Sequence, residues 1–89
     1  MKVEFTHEFI KIFKKRFKHT ANIQNKFDNR VKLFSENYQN PQLKDHQLTD
    51  KLQGFRSFSI TGDIRVIYYI NDNTAYFVNI GTHNQIYRK

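Results

Sequence analysis

Apolar residues recur with a helical period through the first half of the chain and with a strand-like pattern through the second. Phe9, Phe13 and Phe17 stand four apart, with Ile10 and Ile12 broadening that face. Lys11, Lys14, Lys15, Arg16 and Lys18 fall on the other side. The spacing predicts an amphipathic helix opening at Glu8 and running to about Lys18, with Thr6 as its N-cap. Ile23, Phe27, Val31, Phe34 and Tyr38 then predict a second helix from about Asn22 to Tyr38. Asn40-Pro41 is expected to end it, because proline disfavours helical geometry in the residue before it. The short polar turn between the helices implies an antiparallel hairpin.

Around that hairpin the pattern is extended. In Met1–Phe5, Val3 and Phe5 point one way and Lys2 and Glu4 the other, which predicts a short strand. Residues 42–54 mix charge, His46 and spaced leucines without a strand period and read as an ordered loop. Strands are expected at Phe55–Ile60, Asp63–Ile70 and Thr74–Ile80, joined by turns at Thr61-Gly62 and Asn71-Asp72-Asn73. Gly81 is expected to break the last strand before a tail, residues 82–89. The fold class is α+β, in the order β-α-α-β-β-β. The helical hairpin covers one face of an antiparallel sheet, the first strand joins beside a later one, and the other sheet face stays open to a ligand.

Composition narrows the possibilities. A chain of 89 residues without linker, repeat or low-complexity segment suits one domain, 1–89. Nine Phe and five Tyr let so short a chain build a core. The absence of cysteine excludes disulfides and cysteine-based zinc sites. The start, MKVEFTHEF, has no long apolar run, and Val66–Ile70 is far too short to cross a bilayer, so a cytoplasmic protein with no membrane partner is expected. Fifteen Lys and Arg against eight Asp and Glu give a formal net charge of +7 at pH 7. That imbalance favours a polyanionic partner, nucleic acid before an acidic protein segment.

Candidate chemistry centres on histidine. His7 and His19, at the ends of the first helix, read as solvated groups. His46 leads into the sheet and His83 follows its last strand, and a meander can bring both ends to one rim. Two imidazoles beside a carboxylate (Asp45 or Asp63) and an arginine would form an acid–base site for RNA. Cleavage without metal needs a base for the ribose 2′-hydroxyl, an acid for the leaving 5′-oxygen and a cation for the crowded phosphorane. Histidine titrates near neutrality and can fill either proton role. No metal-ligand spacing, phosphate-cradling glycine loop or nicotinamide fingerprint occurs, and no cofactor is expected. Arg56 and Arg65 lie within predicted strands, either as outward residues of a half-covered sheet or as a phosphate grip. Tyr68 and Tyr76 read as core, whereas Tyr87 in the tail could stack on a base.

Several segments carry a resemblance. Lys44-Asp45-His46-Gln47-Leu48, Leu52-Gln53-Gly54-Phe55-Arg56 and Gly62-Asp63-Ile64-Arg65-Val66-Ile67-Tyr68-Tyr69 resemble, in order and spacing, the RelE/ParE superfamily of toxins. The ending Gly81-Thr82-His83-Asn84-Gln85-Ile86-Tyr87 is similar to that of its YafQ-like branch. With the β-α-α reading of the first half, the resemblance covers almost the whole chain. It implies the toxin of a type II toxin–antitoxin system, an mRNA interferase that cuts mRNA in the ribosomal decoding site and leaves a 2′,3′-cyclic phosphate. It also implies a cognate antitoxin whose flexible segment wraps the toxin. Carried over, His46 and His83 become the acid–base pair, with His83 the acid. Asp63 would orient an imidazole, Arg65 stabilise phosphate charge, Tyr87 pack on the substrate, and Lys44 and Arg56 bind RNA or support the site.

One position departs from the pattern. Some YafQ-like toxins carry a further histidine where this chain has Ser59, whose hydroxyl cannot exchange protons at neutral pH as imidazole does. Two rival functions fit the same fold: a ParE-like gyrase inhibitor, and an inactive relic that only binds its antitoxin. The histidine pair counts against the first, and Ser59 favours the second.

Overall fold

The helical hairpin forms where the apolar spacing places it. The computed structural model describes residues 1–87; residues 88 and 89, the end of the expected tail, lie outside the described residues. Strand β1 (Lys2–Phe5) runs into helix α1 (His7–Phe17), and helix α2 (Ala21–Glu36) follows. Thr6 caps α1: its Oγ1 accepts the Phe9 N–H at 3.2 Å and donates to the Phe77 carbonyl at 2.7 Å, so one residue starts the helix and ties it to the sheet. Glu8 in the first turn and Lys14, Lys15 and Arg16 in the last complement the helix dipole. The Gln24 side chain donates to the Phe17 carbonyl at 2.7 Å, and Phe27 lies against Phe13 and Phe9 at 4.8 and 5.8 Å, the order of contacts of an antiparallel hairpin.

Two expectations about the helices change. Ile10 is 39% exposed and stands outside the apolar face, which is built by Phe9, Ile12, Phe13 and Phe17. Helix α2 stops at Glu36, not Tyr38, and proline is not what stops it. Asn37 turns extended (φ −163°, ψ 101°), and its Oδ1 accepts the Gln39 N–H at 3.0 Å, a local bond that competes with helix continuation. Pro41 instead opens a 3₁₀ turn, Pro41–Leu43, where its missing N–H costs nothing.

The sheet has five strands rather than four: β1, β2 (His46–Gln47), β3 (Arg56–Ser59), β4 (Ile64–Asn71) and β5 (Thr74–Thr82), in the spatial order β1-β5-β4-β3-β2. Strand β1 pairs parallel with β5, and the other pairs are antiparallel. Strand β2 escaped sequence reading because two residues show no period. The β4–β5 hairpin turns on Asp72 and Asn73 at φ 53° and 60°, the conformation a two-residue loop needs to match strand twist. A bulge between Ile67 and Tyr68 leaves Val78 unmatched, and pairing then resumes through Ile67↔Asn79 and Arg65↔Gly81 to Ile64↔Thr82. Gly81 therefore does not break β5. The expected tail begins instead as a short helix, α3 (His83–Tyr87).

Strand alternation sorts the side chains. Phe58, Val66, Tyr68, Ala75, Phe77 and Ile80 face the helices and close the core with Phe9, Phe17, Phe27 and Phe34. Phe34 is its hub, fully buried, with ring centroids 4.6 Å from Phe58, 4.8 Å from Tyr68 and 5.5 Å from Phe77. The opposite face carries Ser57 and Ser59 from β3, Arg65, Ile67 and Tyr69 from β4, and Tyr76, Asn79 and Gly81 from β5. Tyr76 is thus not a core residue; its ring stacks on Tyr69 at 5.1 Å and 18° on the far face.

Candidate functional site

The site is built where the loop after α2 crosses the end of the sheet. Buried Leu43 anchors the 3₁₀ turn in the core, and Lys44 follows in the left-handed region (φ 49°, ψ 43°). This uncommon conformation for a side-chain-bearing residue reverses the chain, so that Asp45 and His46 go to opposite faces of the sheet.

Asp45 goes inward. Its Oδ1 accepts from Arg56 Nη2 at 2.7 Å and Nε at 2.8 Å, and its Oδ2 accepts from the Tyr68 hydroxyl. The Asp45 side chain is 3% exposed and that of Arg56 24%, and the guanidinium lies 5.5 Å over the Tyr38 ring. Of the two expectations for Arg56, phosphate contact and structural support, the Nε and Nη2 contacts to Asp45 on the helix-covered side suit support, while Nη1 makes no hydrogen bond among the described residues. Burial works against the Arg56 charge, but the Asp45 and Tyr68 hydrogen bonds outweigh it and raise its pKa.

Burial pushes the Tyr68 phenol well above its ordinary value of 10.0, the hydrogen bond to Asp45 adds to this, and Arg56 opposes it. The folded phenol holds its proton more tightly than the unfolded one. Its contribution to stability is therefore whole below pH 10.0 and is lost as the pH rises further. Urea denaturation should show stability declining above that pH, with a shallower decline in Tyr68→Phe. An equal decline in both would assign it to another group.

His46 goes outward and pairs with Ser57 across β2–β3. Its Nδ1 lies 3.2 Å from the Lys44 carbonyl and 3.3 Å from Arg65 Nη2. In the tautomer that donates Nδ1–H to Lys44, Nε2 keeps its lone pair for an incoming proton. Arg65 is fixed from several sides: Nε donates to Ser57 Oγ at 2.6 Å, and Nη2 donates to the Lys44 carbonyl at 2.8 Å and the Ser57 carbonyl at 3.3 Å. Burial lowers the Arg65 pKa, with Asp45 and Tyr87 countering. The result is a half-buried, pre-oriented cation whose position is set before any ligand arrives.

His83 and Tyr87 arrive on α3, their rings 4.6 Å apart at helical i, i+4 spacing. The helix is held by a capping box: Thr82 Oγ1 accepts the Gln85 N–H at 3.2 Å, and Gln85 Oε1 accepts the Thr82 N–H at 2.8 Å. Since Arg65 pairs with Gly81, it stands between His46 on one side and the start of α3 on the other. Asp63 lies exposed on the β3–β4 turn, its N–H bonded to Thr61 Oγ1. Among the described residues, no hydrogen bond or ion pair joins its carboxylate to either imidazole. Ser59 faces Arg65 across β3–β4, and its hydroxyl is turned to the Thr61 carbonyl at 2.5 Å. Among the described residues, no group of three or more His, Cys, Asp and Glu is placed to hold a metal ion, and no helix is long and apolar enough to cross a membrane.

The sequence reading missed Arg16. It lies seven residues after Phe9, on the core side of α1, and reaches past the end of β1 to the open edge of β5. Its Nη1 donates to the Ile80 carbonyl at 2.6 Å and to Asn79 Oδ1 at 3.4 Å. A Cβ on Gly81 would stand 2.5 Å from Arg16 Nη1 and 2.7 Å from Gln85 Oε1. Glycine is therefore required for close approach, not for a turn. Both crowding atoms can swing aside, so Gly81→Ala should cost the bonds they make, about 1–2 kcal/mol. It should also loosen α3, seen as faster amide exchange at Thr82. Unchanged stability and exchange would show that the contact holds nothing.

Solved structures share this fold. The chain is 25% identical to YafQ from E. coli strain BL21(DE3), with 97% of each chain covered and a TM-score of 0.73. It is 26% identical to a chain of the E. coli DinJ–YafQ complex, again with 97% of each covered, at a TM-score of 0.70. A YoeB/ParE toxin from Agrobacterium tumefaciens shares the fold at 16% identity and a TM-score of 0.77, over 93% of this chain and 99% of that one. No curated protein matches the sequence significantly. Residues 1–88 match the family described as the bacterial toxin of type II toxin–antitoxin systems, YafQ, and the chain belongs to that family.

Proposed function

We propose that this toxin is an endoribonuclease that cuts mRNA on the ribosome, in the cytoplasm, by attack of the ribose 2′-hydroxyl on the adjacent phosphate. The observation that carries the reading is Arg65, pinned by Lys44 and Ser57 on the sheet face free of the helical hairpin, with His46 Nδ1 3.3 Å from its guanidinium. His46 takes the 2′-hydroxyl proton through Nε2. The oxygen attacks phosphorus, Arg65 balances the charge on the phosphorane, and His83 gives a proton to the leaving 5′-oxygen. The products are a 2′,3′-cyclic phosphate and a free 5′-hydroxyl. Tyr87 orients the His83 ring and offers a surface for a base. Asp63, on the exposed turn, is left to act on the substrate or through solvent, and Lys44 contributes charge at the rim.

The E. coli relative in complex with DinJ supports a cognate antitoxin as partner. An acidic, flexible segment of such a protein suits a toxin carrying a net charge of +7 at pH 7. Induced expression without the antitoxin should arrest growth, with transcripts cut and chromosomal DNA intact. Broken DNA with intact transcripts would favour gyrase inhibition on the same fold. Ser59, turned into the β3–β4 turn, supports the reading of an inactive relic, for which expression would leave both growth and transcripts unaffected.

A further inference from the structure

We propose that the groove between α2 and the β3–β4 turn binds the phosphates of an RNA strand flanking the cleaved bond. The groove has a volume of about 430 Å³ and is lined by Lys26, Asn29 and Arg30 of α2, Gln42 and Lys44 of the following loop, and Ser59 to Gly62 of the sheet rim. Lys26, Asn29 and Arg30 stand at i, i+3 and i+4, so one face of the helix supplies all three. Three cations and several neutral donors line it, with no carboxylate. Of the acidic residues adjoining these in sequence, Asp28 turns to the other side of the helix, beside Phe5 and Phe27, Asp45 is buried against Arg56, and Asp63 lies exposed on the turn just past Gly62.

Two features distinguish this from an ordinary solvated helix face. Arg30 Nη1 donates to the Gln42 carbonyl at 2.6 Å, which fixes the guanidinium across the groove and leaves its remaining donors for a ligand. A pinned planar fork suits a phosphate better than a free ammonium does. The groove is also continuous with the catalytic face. Lys44 lines it while its carbonyl holds Arg65, and Ser59 lines it while pairing with Arg65 across the sheet. Gly62 leaves its mouth open, with nothing within 4 Å of where a Cβ would stand. A strand with its scissile phosphate at Arg65 can thus pass over Ser59 and lay neighbouring phosphates against Lys44, Arg30 and Lys26. The inference rests on the ribonuclease reading for the identity of the polyanion; the groove's charge and geometry stand apart from it.

The test is binding of a short, 5′-labelled single-stranded RNA to the folded full chain, followed by fluorescence anisotropy across a salt series. Lys26→Gln and Arg30→Gln are each expected to weaken binding about threefold to tenfold. Each should also lower the slope of log K against log salt by about 0.7, the loss of one phosphate contact. Lys15→Gln, an equal change of charge on α1, should do neither. The Lys26 side chain makes no hydrogen bond among the described residues, so its variant keeps the test sound even if Arg30→Gln disturbs the loop. Equal losses in Lys15→Gln, no loss in the groove variants, or no RNA binding by the wild-type chain would each overturn the proposal. So would poly-L-glutamate binding as tightly as RNA with the same dependence on Lys26 and Arg30, which would make the groove a site for an acidic protein segment. Groove-dependent RNA binding without any cleavage by ribosomes plus toxin would instead sink the ribonuclease reading and leave the groove standing.

Discussion

Replacing Arg65 by Ala is expected to lower the cleavage rate about 10²–10³-fold, the usual effect of removing one pre-oriented stabiliser of transition-state charge. Arg65 is held by Ser57 Oγ, the Ser57 carbonyl and the Lys44 carbonyl, so in the proposed mechanism no reorganisation is needed when the phosphorane forms. Its half-buried position strengthens its field over that of a solvated arginine. Arg65→Lys should recover little, because one ammonium cannot reproduce the fork that meets Ser57, Lys44 and a phosphate together. Single-turnover cleavage at saturating ribosome, set beside toxin–ribosome affinity, separates the roles. A rate loss far exceeding the affinity loss supports transition-state stabilisation, whereas equal losses would mean that Arg65 only anchors the substrate.

Asp45→Ala is expected to have the largest effect on stability. The substitution leaves the Arg56 guanidinium and the fully buried Tyr68 hydroxyl without their acceptor. Breaking a buried ion pair from one side costs about 3–5 kcal/mol. The Arg56 side chain keeps 24% exposure, so solvent offsets part of this and the loss should fall near about 3 kcal/mol. That is a large share of the few to roughly 13 kcal/mol expected of a domain this size. Asp45→Asn keeps an acceptor for Tyr68 and should lose less. Activity should fall as well, since Asp45 holds the loop whose next residue is His46 and whose preceding carbonyl fixes Arg65. Urea denaturation reads the first effect, and a loss under about 1 kcal/mol would show that the network is solvated and replaceable.

The sequence made the framework legible because long apolar periods write it. Phe9, Phe13 and Phe17, and then Ile23, Phe27, Val31 and Phe34, placed both helices, and Thr6 marked the first cap. The turn at Asn71-Asp72-Asn73 placed the hairpin, since few other residues tolerate its left-handed positions. What stayed hidden depends on contacts rather than periods. Strand β2 exists because His46 and Gln47 meet β3, and Gly81 matters because Arg16 and Gln85 close over it. The Thr82–Gln85 capping box was visible as a spacing of three, yet it lay after a glycine that looked like the end of structure. Arg56 and Arg65 were indistinguishable as charged strand residues. Parity along the sheet separates them, sending Arg56 to Asp45 under the helices and Arg65 to His46 on the other face. His46, His83 and Arg65 could be named from their family motifs, but the placement of Arg65 between His46 and the start of α3 is a property of the register.

The most direct test of the central claim uses ribosomes stalled with a defined codon in the decoding site, incubated with purified toxin, and the cut ends mapped by primer extension. The account predicts cuts within that codon ending in a 2′,3′-cyclic phosphate, and their loss in His46→Ala, His83→Ala and Arg65→Ala proteins that remain folded. Intact mRNA from a folded wild-type toxin, or cuts that persist undiminished without His83, would contradict it.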